Sequence, residues 1–430
     1  MREAAITSEQ SELRTPAPSI PLQSKGPASG KTADWHAKAS RSIETRRTDL
    51  DALRVLMCGG LILCHALLIF AAEPNYHLKS AVPSPTASAL SEFLRITTTS
   101  MFFVLAGWSA MAALRERGPG RFMRGRVKRL LVPLFGGSVL FGSIIKYIEL
   151  SHGRDVGFHG FRLAQPLQSG FFEFFPHNLT RMNQVTWSHL WFLAYLFLIS
   201  VLLLPVVAHL ARSAPRTVVP AAPTVYVPAL AMAVLLAAFN GYWPFLPNLY
   251  TDWTNFAYFA LCFAIGSGIA AWPGFETRLR AEAPRLLALM LLGAVGVTLC
   301  ANSVAGRLFV GLTAWGAIGA GLGFAARLKP PTTPTLAYLS EATLPVYIVH
   351  QVPVLLLGIV VLQLALPVWL KIALIWLLAS VITLAIYHWL IRPWRPVRWS
   401  MGMGGLPPPS PEVEYDCKIT GARRRTHAGI

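Results

Sequence analysis

Ala52-Leu53-Arg54-Val55-Leu56-Met57-Cys58-Gly59-Gly60-Leu61-Ile62-Leu63-Cys64-His65-Ala66-Leu67-Leu68-Ile69-Phe70-Ala71-Ala72 is an apolar run whose only basic side chains are Arg54 and His65. About 20 such residues form a helix that crosses the hydrocarbon core of a bilayer. Similar runs recur along the chain and predict helices over 52–72, 93–114, 130–148, 189–210, 225–240, 253–272, 286–304, 307–326, 342–363 and 369–391. The expected fold class is all-α, a polytopic membrane bundle of about ten transmembrane helices with both termini cytosolic.

Composition agrees. Of the 430 residues, 54% are hydrophobic and 13% charged, with a mean hydropathy of +0.49. A water-soluble domain carries roughly a quarter of its residues charged, so lipid is the main solvent here. The net charge of +18 sits in short links between apolar runs. There it sets topology and meets anionic membrane lipids, which excludes nucleic acid as a partner. The five cysteines show no CxxC or Cys/His spacing, so no metal site is expected.

The basic links alternate with links nearly free of Lys and Arg. Arg46 and Arg47 precede the first helix, and a cluster from Arg115 to Arg129 follows the second. Arg212 and Arg216, Arg278 to Arg285, Arg327 and Lys329, and Arg392 to Arg398 mark the later cytosolic links. Links 241–252 and 364–368 hold neither Lys nor Arg. The chain therefore divides into a disordered cytosolic arm over 1–48, a transmembrane domain over 49–400 and a disordered basic cytosolic tail over 401–430. The longest outer link, 149–188, contains His152, His159, His177, Glu173 and many aromatic residues, and reads as a partly interfacial lid.

Ionisable residues inside membrane helices are costly and mark candidate chemistry. Arg54 and His65 lie close to three turns apart on one face, about 16 Å along the axis, and Asp51 can pair with Arg54 at i,i+3. The alternatives are a packing role for His65 and a headgroup-directed Arg54. Arg126 and Arg129 are placed to hold phosphates bidentately or to act only as topology charges. His189 opens the fourth helix at the outer interface. Tyr347 and His350 share a face of the ninth helix, for which Ser340 and Glu341 make a candidate cap, placing His350 about 12 Å from its cytosolic end.

These segments occur in one order: Leu50-Asp51-Ala52-Leu53-Arg54 with His65, then Phe102-Phe103-Val104-Leu105-Ala106-Gly107, then Arg126 and Arg129 before Leu131-Val132-Pro133, and Tyr347-Ile348-Val349-His350. Together they resemble the acyltransferase-3 family of integral-membrane acyltransferases over about residues 49–400. His65-Ala66-Leu67, Ala106-Gly107 and His189-Leu190-Trp191-Phe192-Leu193 look most like its glucan-biosynthesis protein C branch, associated with succinylation of periplasmic glucans. Val55 and Ala106 stand where the family often has Gly and Ser, which points away from an ordinary O-acetylase substrate.

The resemblance implies transfer of an acetyl or succinyl group from cytosolic acyl-CoA, the donor substrate, to a glycan hydroxyl outside the bacterial inner membrane. No bound cofactor is expected. His65 is then the general base, Asp51 orients Arg54, and Arg126 and Arg129 hold the donor's phosphates. His350, Tyr347 and His189 fall to the acceptor side. A polytopic transporter or flippase of a glycan or lipid-linked substrate is the rival class.

Overall fold

A computed structural model of the chain describes residues 47–156, 161–163, 165–180, 187–243 and 246–404. The expected arm over 1–48 and tail over 401–430 lie outside the described residues, apart from 47–48 and 401–404. The body is all-α, with one two-residue antiparallel pair, Arg154–Asp155 with Phe161–Arg162. It is a multi-pass membrane protein.

Among the described residues seven helical runs are long and apolar enough to cross a membrane, and two bent pairs raise the number to nine. One run, Pro85–Ser151, has 67 residues, far more than the roughly 20 one crossing needs. It turns back at Gly118, whose φ of 73° leaves the helical region in front of Pro119. After the turn, Arg126 donates from Nη2 to the Ala106 carbonyl at 3.3 Å. A straight helix would hold those residues about 30 Å apart. The run therefore contains two crossings, which gives the ten expected.

In chain order, α1 is Thr48–Leu68 and α2 is Pro85–Arg126; π-helical turns then link α3, Val132–Gly137, and α4, Ser143–Ser151. A short outer helix, α5 (Phe171–Thr180), follows. The fourth crossing bends by 58° between α6, Trp191–Leu202, and α7, Leu204–Arg212, where Pro205 supplies no N–H. Crossings α8 (Val227–Phe239), α9 (Trp253–Ala271), α10 (Pro273–Leu299) and α11 (Val304–Leu328) lead to the ninth. That one bends by 61° between α12, Pro334–Val349, and α13, Gln351–Leu362. Pro353 cannot donate to the Val349 carbonyl four residues back, and its ring crowds that carbonyl, so the chain breaks at His350. The tenth crossing is α14, Val368–Ala385, continued through Ile391, and α15 is Arg395–Ser400.

Two sequence expectations need correction. The ninth helix opens at Pro334, not at Ser340; Thr333 is its N-cap, accepting from the Leu336 N–H. Proline at the first helical position favours that earlier start. His350 is consequently some 16 residues, roughly 24 Å, from the start of the helix rather than 12 Å. Likewise Arg278, Arg280 and Arg285 belong to the first turns of α10 rather than to a link.

Tight packing of backbones holds the crossings together. Gly107 of α2 faces the Phe263 carbonyl of α9, and Gly266 of α9 faces the Val104 carbonyl in return. The glycine run in α11 packs as its composition predicts, with Gly316 against the Met290 backbone and Gly323 against the Leu279 carbonyl. The apolar interior forms two clusters. Leu190 and Ile348 belong to one and Ala66 and Val349 to the other, so the segments bearing His65, His189 and His350 meet along their seam.

The outer link is anchored rather than free. Arg154 donates from Nε to the Tyr76 carbonyl at 3.0 Å, and Asn178 is buried with its Nδ2 donating to Ser143 Oγ at 2.9 Å. Burial removes Asn178 from use as a glycosylation acceptor. His152 and His177 each bond a carbonyl one turn back on their own helix and take no part in the interior. His159 lies outside the described residues.

Candidate active site

Three imidazoles from three crossings meet in the interior. The His65 ring centroid is 5.0 Å from that of His350 and 6.4 Å from that of His189; His189 and His350 are 5.1 Å apart. His189 and His350 are buried, and His65 nearly so. Tyr76, from the link after α1, closes one side with its ring 5.9 Å from His65. Burial holds its phenol well above the usual tyrosine range, so it remains a neutral hydroxyl.

Hydrogen bonds fix two of the three tautomers. His350 Nδ1 lies 2.8 Å from the Tyr347 carbonyl, so Nδ1 carries the proton and Nε2 the lone pair. His189 Nε2 lies 3.0 Å from the Ile348 carbonyl, so its Nδ1 holds the lone pair. Those two lone-pair nitrogens, with His65 Nδ1, are buried and have no hydrogen-bond partner among the described residues. The cluster thus offers basic nitrogens, within reach of one another, that can accept from a hydroxyl. Among the described residues no group of three or more His, Cys, Asp or Glu is placed to hold a metal.

The break in the ninth crossing builds this arrangement. It frees the Ile348 carbonyl to accept from His189, while the Tyr347 hydroxyl donates to the His189 carbonyl at 2.5 Å. His189, expected at the outer interface, is 6% exposed and clamped to the ninth crossing. His65, His189, Tyr347 and His350 therefore form one cluster.

The other expected residues gather at the basic end of α1. Arg54 donates from Nη1 to Asp51 Oδ1 at 2.7 Å and from Nη2 to Ser109 Oγ at 2.7 Å. The guanidinium is turned into the bundle, not toward headgroups. Arg126 bonds the Ala106 carbonyl and packs over Phe122, 5.0 Å from the ring centroid. Ala106 and Ser109 lie one turn apart on α2, so both guanidinium groups dock on the same stretch of that helix. Arg47, over the Trp108 ring at 4.8 Å, joins them, with its charge met by Asp49 and Glu276 at 2.7 Å each. Among the described residues neither Arg126 nor Arg129 pairs with an acid, which leaves net positive charge at this mouth. Arg129 is exposed, its backbone against Gly402.

The expected residues therefore fall into two groups joined by α1, a basic cluster and a histidine cluster. Ser109 and Tyr76 complete these groups and were not singled out by sequence. A serine in an apolar run and a tyrosine in a short link carry no pattern until the neighbouring helix is in place.

A polytopic bundle that carries a basic cluster and a cluster of buried bases on one crossing fits an integral-membrane group-transfer protein. The acyltransferase domain of the acyltransferase-3 family matches residues 47–392, and the chain belongs to that family. It is a membrane acyltransferase. Neither the curated proteins nor the solved structures gave a significant match.

Proposed function

We infer that the protein moves an acyl group from acyl-CoA, bound at the basic mouth, to a hydroxyl of a glycan that enters from the opposite face. One observation carries the reading: α1 holds Arg54 at the mouth and His65 in the chamber, about three turns apart on one face. A donor with anionic phosphates and a long flexible arm fits that separation. Arg126 and Arg129, without acid partners among the described residues, bind the phosphates by charge-assisted hydrogen bonds. Asp51 holds Arg54 in place.

In the chamber His65 takes the proton of the glycan hydroxyl as its oxygen attacks the acyl carbon. A neutral imidazole near its operating pH typically supplies 10²–10⁴-fold as such a base. The lone pairs at His189 Nδ1 and His350 Nε2 accept from neighbouring hydroxyls of the glycan and so hold it in place, and Tyr347 fixes His189. The basic mouth faces the cytosol of a bacterial cell and the chamber opens outward across the inner membrane. The branch-like segments favour succinyl over acetyl.

Mass spectrometry of surface and periplasmic glycans from wild-type, deletion and His65→Ala cells tests this. The same acyl mass increment should vanish in both mutants while the His65→Ala protein still accumulates in the membrane. A wild-type glycan profile from His65→Ala cells refutes the role of His65.

A further inference from the structure

Beside Tyr76 and His189 lies a second constellation. His77 and Ser188 are their immediate chain neighbours. Ser188 Oγ is 3.0 Å from His77 Nε2, and His77 Nδ1 is 2.7 Å from Glu149 Oε2. Glu149 is fully buried, and His77 is 8% exposed. The other carboxylate oxygen, Oε1, accepts from Lys146 Nζ at 2.8 Å and from the Val156 N–H. Lys146 also pairs with Asp155.

Glu149 Oε2 thus holds the His77 proton on Nδ1 and turns the Nε2 lone pair to the serine hydroxyl. A carboxylate, an imidazole in that tautomer and a hydroxyl at these distances are the parts that activate a serine nucleophile. Ser188 carries a φ of 44°, a left-handed conformation that a non-glycine residue adopts at a cost. It opens the helix Ser188–Leu202, whose N-terminal end favours negative charge developing nearby. A hydrogen-bonded strap between two links needs neither the strain nor the fixed tautomer.

We propose that Ser188 is a covalent way-station for the acyl group, activated by His77 and Glu149. This rests on the acyl-transfer reading above. Ser188 Oγ attacks the thioester carbonyl and its proton passes to His77 Nε2. The C–S bond breaks, and the thiolate leaves to recover a proton from water. The glycan hydroxyl then attacks the Ser188 ester, losing its proton to His65. The ester C–O bond breaks, Ser188 Oγ regains its proton from His77, and His65 releases its proton to water.

The test uses the purified full-length protein in lipid nanodiscs, first with a fluorophosphonate probe and then with acetyl-CoA or succinyl-CoA and no glycan. Peptide mass spectrometry should place the phosphonate on Ser188 in wild type and in His65→Ala. His77→Gln should slow that labelling at least ~100-fold, the contribution of a general base, and Ser188→Ala should abolish it. With one of the two donors, His65→Ala should also accumulate an acyl ester on Ser188.

Wild type left unlabelled at Ser188, or labelling indifferent to His77→Gln, overturns the proposal. So does a Ser188→Ala protein that transfers at the wild-type rate, an outcome that leaves the role of His65 standing. A His65→Ala protein that transfers normally removes the earlier reading while the Ser188 adducts persist, so the two failures are distinguishable.

Discussion

The rings of His65 and His350 stand 5.0 Å apart, one on the first crossing and the other at the break in the ninth. The break is what makes the contact useful. In a continuous helix the Ile348 carbonyl would be held by an N–H four residues on. Here it accepts from His189, which fixes the tautomer that leaves the His189 Nδ1 lone pair without a partner among the described residues, beside His65 and His350. Pro353, the residue responsible, acts through the backbone: it removes the donor due to the Val349 carbonyl and crowds that carbonyl, and the resulting 61° bend takes the neighbouring Ile348 carbonyl out of the helical ladder. Local backbone chemistry thus sets the proton positions in the candidate site.

From that clamp, His189→Ala should lower both stability and transfer. It strips the buried Ile348 carbonyl of its donor, at a cost of about 1–3 kcal/mol. Tyr347→Phe loses a single hydroxyl bond, about 1 kcal/mol, and keeps the ring. Thermal unfolding of the purified protein should therefore rank wild type above Tyr347→Phe, and Tyr347→Phe above His189→Ala. Equal midpoints for all three would mean that the clamp contributes nothing.

Arg126→Ala should weaken donor binding with little effect on the chemical step. Charge-assisted hydrogen bonds contribute about 1.5–3 kcal/mol, so KM for acyl-CoA should rise roughly 10- to 100-fold while kcat changes far less. Arg126→Lys keeps the charge without the fork and should fall between. Steady-state kinetics with purified protein decides it, and a loss confined to kcat would place Arg126 away from the donor.

Much of this was legible in the sequence because lipid leaves few options. Apolar run length and the alternation of arginine-rich links dictated ten helices, and the cost of burying ionisable groups singled out Arg54, His65 and His350. What sequence did not show was where helices break. Pro353 follows His350 by three residues, yet sequence alone could not say whether it would bend the crossing or be accommodated. Without the bend, His189 reads as a residue of the outer interface. The contact of Glu149, itself paired with Lys146, with His77 was hidden for another reason. The pair sits at the boundary between an apolar run and a long link, where charge is ordinary, and its partner is distant in the chain.

Gly107→Ala should be far more damaging than its size suggests. A methyl group there would sit 2.0 Å from the Phe263 carbonyl oxygen, and backbone on both sides leaves nothing flexible to move. Helices α2 and α9 would have to separate, disturbing the stretch on which Arg54 and Arg126 dock. The control is Gly125→Ala, where the added methyl group meets open space. Membrane accumulation and detergent-resistant folding should fall for Gly107→Ala and stay at wild type for Gly125→Ala; comparable yields would refute the close α2–α9 contact.

Lys79 predicts a pH dependence of stability in the alkaline range. Its ammonium group donates to the Leu68 carbonyl at 2.6 Å and to the Ala71 carbonyl, capping the end of α1. Burial, reinforced by the nearby Arg154 charge, brings its pKa down to about 8 from the ordinary 10.5. Below pH 8 the residue is charged in both folded and unfolded chains, and the folded state bears the full cost of burying that charge. Between about 8 and 10.5 the folded chain has released the proton while the unfolded chain still binds it. Stability must therefore rise with pH across that window. Above 10.5 both states are neutral and the contribution is constant. Other groups titrate there too, so the quantity to follow is the difference in unfolding temperature between wild type and Lys79→Met. That difference should move in favour of wild type from pH 8 to 10.5 and level off beyond it; a flat difference would mean that Lys79 keeps an ordinary pKa.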